Sequence, residues 1–235
     1  ILNLTLPNTP PPAKGQKTLV VDALGLRALT LLKDLNFSLF IIISLLVMTP
    51  FTLYFSLGSQ FFESQGFKLI TFLMNWGQAV EIFLVLLVPL ALKRFGVKWT
   101  MAVGLGALAV RYFALWGGVA ANQTSLYYTA ILVHGIIFGF FFVGGQVYVD
   151  KKAPPEMRAQ AQGLYVLLCY GVGQFVGTFV NVKLIERYTT DGVCNWNPVF
   201  VIIAIVSVVL LLVLCALFRD DVKQASEPAP AKQQT

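Results

Sequence analysis

Six apolar stretches, each about as long as a bilayer is thick, constrain this chain more than any other feature. They fall at about 36–57, 67–92, 99–121, 126–149, 159–186 and 198–218, with short polar segments between them. Some twenty apolar residues make a helix that crosses the hydrocarbon core. Within that core every backbone polar group needs an internal partner, so the runs are expected as helices. Composition agrees: 12% of residues are charged, against roughly 25% in a soluble domain. The expected fold class is therefore an all-α membrane protein with six transmembrane helices, surrounded by lipid bilayer. The net charge of +6 is spread over loops, so no nucleic-acid partner is expected.

The second run contains one acid, Glu81, near its middle. A carboxylate at that depth costs at least ~2.5 kcal/mol on insertion scales, so it is expected to face a cavity or a partner. Gln78 lies three residues earlier and shares its helical face. The plain alternative is a buried pair that only fixes helix packing. Arg111 lies about twelve residues beyond the basic turn Lys93–Lys98, and Glu81 about as far before it. At ~1.5 Å rise per residue the two share a depth. An ion pair between them is one reading; an Arg111 that snorkels to an interface is the other.

In the first run, Pro50 removes a backbone hydrogen bond and kinks the helix. Phe51, Tyr54 and Phe55 follow it as a stacking surface or as packing. The fourth run holds His134, the only histidine, with Gly135 and Gly139 spaced for close helix approach. Gly173 and Gly177 repeat that spacing in the fifth run. The sixth is almost wholly aliphatic and is expected to face lipid, with Ser207 its main polar group. Gly58–Gly66 and Arg187–Asn197 read as loops.

Outside the helices, 1–35 reads as a linker with an amphipathic segment at 16–35, and 219–235 as a disordered tail. Most Lys and Arg lie in 14–33, 93–98, 151–158 and 219–232, on the side that six spans give to both termini. Lys68, Lys183 and Arg187 lie opposite. The positive-inside rule then places both termini in the cytoplasm. Cys169, Cys194 and Cys215 show no metal-binding spacing. Neither metal nor cofactor is expected, and a solitary histidine without a nucleophile–acid set argues against an enzyme. The chain begins with Ile1 and is expected to be a piece of something longer.

Gln78-x-x-Glu81, His134-Gly135-x-x-Phe138 and the segment from Gly145 to Gly163 resemble the C-terminal half of the nucleoside:H+ symporter family, within the major facilitator superfamily. Pro154-Pro155-Glu156-Met157-Arg158-Ala159-Gln160-Ala161-Gln162-Gly163 is the most specific part. The likeness runs from the Leu6–Pro11 connector to about Asp221. It implies a bundle of six helices forming one half of a transporter, a missing N-terminal six-helix half as partner, and location in the cytoplasmic (inner) membrane. It also implies proton-driven nucleoside uptake by alternating access. Carried over, Gln78 and Glu81 would hydrogen-bond the nucleoside, with Glu81 the proton-coupling group and Phe138 matching a binding Phe. This sequence departs from the family pattern at three places. His134 stands where a Tyr is usual, Phe51 and Tyr54 replace Gln-x-x-Asn, and Gly139 replaces an Asp. The rival functions are symport of a sugar or other small polar solute, and a non-transporting membrane module.

Overall fold

The computed structural model describes residues 25–222. The connector, Asp22 and the first part of the proposed amphipathic segment, 16–24, lie outside these, as do residues 223–235. Six helices account for most of what is described: α1 Leu35–Ser64, α2 Ile70–Val85, α3 Val88–Ala121, α4 Thr124–Lys152, α5 Pro155–Arg187 and α6 Trp196–Leu217. Five are long and apolar enough to cross a membrane, and α2 is shorter at 16 residues. Beyond a break at Leu86–Leu87 its course continues through 88–95, and 70–95 together would reach about 39 Å at the helical rise.

The turn between the second and third apolar runs occurs at Gly96, inside α3, where φ is 73°. That left-handed conformation costs glycine little and other residues more. The Asp220 carboxylate accepts from the Val97 amide at 2.7 Å just after the turn. It therefore meets the N-terminal amides of the helical stretch that follows, where negative charge is favourable. Between α5 and α6 the polar segment folds into a small hairpin, Thr189–Thr190 (β1) against Val193–Cys194 (β2). Its central residues, Asp191 and Gly192, both have positive φ, as the tight hairpin turn requires.

Three expectations change. The first helix does not stop near Leu57 but runs to Ser64. Phe61 and Phe62 within the supposed loop are buried, and Phe61 packs edge-on to Tyr127, Trp196 and Phe200. Burial of those rings holds the extra turns in the helix. The sixth helix is not a lipid-facing outrider. It packs along α3 and α1, burying Val199, Phe200, Ile203, Ser207, Leu210 and Leu214, while Ile205, Val209 and Leu212 stay exposed on the other face. Aliphatic composition cannot distinguish a neighbour helix from a lipid chain. The described end of the amphipathic segment is a 3-10 helix, Leu26–Lys33, packed on the start of α5 with Ala28 buried.

The glycine expectations match the contacts. A Cβ on Gly177 would lie 3.0 Å from the Met48 backbone, so α5 meets α1 at backbone distance. Beside that contact, Pro50 disturbs the helix, and donors gather there. Asn181 donates to the Thr49 carbonyl at 2.8 Å, and the Tyr112 phenol donates to the Pro50 carbonyl. The carbonyl that Pro50 leaves without a helical donor is that of Leu46, so these bonds brace α1 against α5 and α3 and do not replace the missing one.

At the opposite end of the bundle from the hairpin, a polar knot ties several elements together. Asp34 caps α1 through the Phe37 amide and pairs with Lys152 at 2.7 Å. Lys152 also reaches Asp221 at 2.5 Å, and Asn36 exchanges hydrogen bonds with the Arg219 backbone. Residues 219–221, assigned to a disordered tail by composition, are thus held in place by the bundle. The hydrogen bond from Lys152 keeps the Asp34 carboxyl below its usual range. A carboxylate with a lowered folded-state pKa contributes stability above its unfolded value near 4, and that contribution is lost as pH falls through the folded value. Asp34→Ala is expected to cost about 1 kcal/mol, the usual worth of an N-cap. Its thermal unfolding should show a smaller acid destabilisation than the parent below about pH 4.

Candidate transport site

The site begins where α2 and α4 touch. A Cβ on Gly77 would sit 2.8 Å from the Ile131 carbonyl, and one on Gly135 would sit 2.6 Å from Glu81 Cα. These two glycines let the backbones meet, and the meeting sets Glu81 beside His134. Glu81 Oε2 lies 3.4 Å from His134 Nε2. The Glu81 side chain is 23% exposed and that of His134 only 4%.

Arg111 does not pair with Glu81, and it does not snorkel. It is fully buried, with 0% exposure. Its Nε donates to the Ala130 carbonyl at 3.1 Å, and its Nη2 lies 3.0 Å from His134 Nδ1. The guanidinium carbon sits 4.2 Å from the centre of the Tyr54 ring, a cation–π distance. The imidazole therefore stands between the cation and the acid, touching each through a different ring nitrogen. Equal depth placed Arg111 and Glu81 at one level, as the sequence suggested. It could not reveal that His134 fills the space between them.

Beside this row opens a cavity of about 190 Å³ lined by Tyr54, Phe55, Ser59, Ile70, Thr71, Met74, Asn75, Gln78 and His134. Of the residues singled out from the sequence, Gln78, Tyr54, Phe55 and His134 face it. Phe51 and Phe138 do not. Phe51 is buried, stacked near the His134 ring at 6.1 Å and against Phe142 at 4.5 Å. Phe138 is half-buried, 6.5 Å from His134. Both support the imidazole from behind. Glu81 borders the same face through His134 without lining the cavity. The exposed ring is Phe55, edge-on to Tyr54 and to His134.

Thr71, Asn75 and Ser59 were missed. For two of them the signal was present: Thr71, Asn75 and Gln78 recur at four and three residues, the spacing of one helical face. Ser59 carried no signal, because it lies in the stretch taken for a loop. Among the described residues no cluster of three or more metal-ligating side chains occurs.

The arrangement is that of a multi-pass membrane protein with a polar, aromatic-edged cavity between its helices. The nucleoside H+ symporter family model matches residues 1–223. The chain belongs to that family, and so to the membrane transporters of the major facilitator type and not to the enzymes. It is 35% identical over 224 residues to the "Putative nucleoside transporter YegT" of Escherichia coli K12, covering 92% of this chain and 52% of that protein. It is 31% identical to nucleoside permease NupG of the same organism, covering 93% and 55%. A crystal structure of a nucleoside transporter NupG mutant superposes with a TM-score of 0.80 at 30% identity, over 92% of this chain and 56% of that one. The chain thus spans about half the length of the relatives it matches.

Proposed function

We propose that this chain is the C-terminal six-helix half of a proton-coupled nucleoside symporter of the inner membrane, working by alternating access with an N-terminal half of six helices. Both termini of the chain lie in the cytoplasm. The observation that carries the reading is the 190 Å³ cavity, whose walls combine amides, hydroxyls and ring edges. A nucleoside presents matching groups. Its sugar hydroxyls and base edge hydrogen-bond to Gln78, Asn75, Thr71 and Ser59, and its flat base meets the rings of Phe55 and Tyr54. Transporters of this kind place the site near the midplane between two related bundles, which leaves the other wall to the partner half. The cytoplasmic orientation is supported by the basic residues at one end of the bundle, where Lys152 and the Arg219 backbone meet α1. In this reading Glu81 carries the coupled proton, and Phe51 and Phe138 pack the His134 ring without touching substrate.

The test is uptake of labelled uridine by the full-length protein in proteoliposomes, with an inward proton gradient. Unlabelled nucleosides should compete and hexoses should not; the reverse order would sink the nucleoside assignment. Gln78→Ala and Asn75→Ala should each raise KM about threefold to tenfold, the worth of one neutral hydrogen bond. Unchanged KM in both would place the substrate elsewhere.

A further inference from the structure

The imidazole between Arg111 and Glu81 has a direction. A guanidinium offers only donors. With Arg111 Nη2 at 3.0 Å, His134 Nδ1 must accept. A neutral ring with Nδ1 bare carries its proton on Nε2, the nitrogen that lies 3.4 Å from Glu81 Oε2. A doubly protonated ring would set a second N–H against the guanidinium. Arg111 is fixed in turn by the Ala130 carbonyl and the Tyr54 ring and is fully buried. It cannot swing aside without repacking α3 against α4.

We propose that Arg111 is a positioning residue that locks His134 in its Nε2–H form, so that the Glu81–His134 contact between α2 and α4 is strong only while Glu81 is ionised. This rests on the reading of Glu81 as the proton-carrying group. When a proton binds a Glu81 oxygen, a new O–H forms and the carboxylate charge is lost. The Nε2–H keeps only a neutral carbonyl acceptor, and such bonds are roughly half as strong as charge-assisted ones. The new O–H finds no acceptor on the ring, because the one bare nitrogen is held by Arg111. Protonation thus loosens α2 from α4 beside the cavity. Were Arg111 absent, the ring could move its proton to Nδ1 and accept from the Glu81 O–H. The contact would then survive in both protonation states, and the signal would vanish.

Around the His134 ring stand Glu81 from α2, Tyr54 from α1 and Arg111 from α3, with Tyr112 of α3 near Arg111. From α5, Tyr170 packs through Phe142, its rings 5.6 Å apart. The tyrosines are neutral in the working pH range, so among the described residues only Glu81 and Arg111 bring charge to the ring.

The experiment is nitrogen-15 NMR of histidine-labelled full-length protein, with the His134 signals assigned by subtracting the spectrum of His134→Gln. Nδ1 is expected unprotonated and Nε2 protonated across neutral pH. A protonated Nδ1 would overturn the proposal, whether or not the protein transports nucleosides. Arg111→Lys, which still offers only donors, should keep that pattern, and Arg111→Met should give a mixture of tautomers. His134→Gln can present an oxygen to Arg111 and an N–H to Glu81. Its uptake should weaken in affinity but keep its pH dependence, whereas Arg111→Met should flatten the pH dependence at least fivefold. A flat profile in His134→Gln would mean that the imidazole itself carries the proton, which would also overturn it. Should Arg111→Met not fold, the wild-type spectrum and the Arg111→Lys variant still decide.

Discussion

Glu81→Gln is expected to abolish uphill accumulation driven by a proton gradient, bringing the internal-to-external ratio of substrate to about one. With one proton per substrate, each unit of pH gradient supplies about 1.4 kcal/mol, and so sustains about tenfold accumulation. A glutamine keeps the shape and the hydrogen bonding of a carboxyl but cannot gain or lose a proton at neutral pH. Its amide can still present an oxygen to His134 Nε2–H, the group 3.4 Å away. The variant should therefore remain folded and still exchange substrate across the membrane, more slowly, while gradient-driven concentration disappears. The check compares counterflow with accumulation in the same proteoliposomes. Undiminished accumulation would move the proton site off this helix, and loss of both counterflow and folding would make Glu81 a packing residue. The departure at Gly139 sharpens the test, because its flank packs on Val85 and Val88 and offers no second carboxylate there.

The spans were legible because bilayer thickness fixes their length, and the acid at position 81 stood out because its cost is large. The Gly-x-x-x-Gly spacings announced close contacts, but not with which helix. Three things stayed hidden for three different reasons. The surroundings of Arg111 are non-local: its partners come from Ala130 and His134, 19 and 23 residues away, and from Tyr54 on another helix. The inner face of α6 was invisible because its residues are equally apolar all round. The role of Asp220 and Asp221 was masked by a polar, proline-containing tail. Composition averages over such a segment and misses two carboxylates seated on a helix start and a lysine. At the site itself, aromatic residues near a kink could be recognised, yet sequence could not say that Phe51 turns inward and Phe55 turns to the cavity. That depends on the rotation of α1 past Pro50, which tertiary packing decides.

Gly135→Ala and Gly77→Ala should both be strongly damaging changes of a single methyl group at the α2–α4 contact. The added carbon at position 135 would stand 2.6 Å from Glu81 Cα and 2.8 Å from its nitrogen, and the one at position 77 would stand 2.8 Å from the Ile131 carbonyl. In each case the obstacle is backbone, which cannot rotate away as a side chain can. The helices must separate, and overpacking of this kind costs about 1–3 kcal/mol. Helix propensity would push the other way, since alanine exceeds glycine by about 1 kcal/mol in a helix interior. Gly106→Ala isolates that contribution, because its Cβ would meet nothing within 4 Å. The expected order of thermal stability in detergent is Gly106→Ala at or above the parent, with Gly77→Ala and Gly135→Ala clearly below it. Function should fall further than stability. The same separation lengthens the Glu81–His134 approach, already 3.4 Å, and weakens a polar contact whose strength drops steeply with distance. Gly135→Ala should therefore lose gradient-driven accumulation even at temperatures where the protein remains folded. If accumulation were to follow the folded fraction alone, the α2–α4 contact would hold the bundle together but would have no part in coupling.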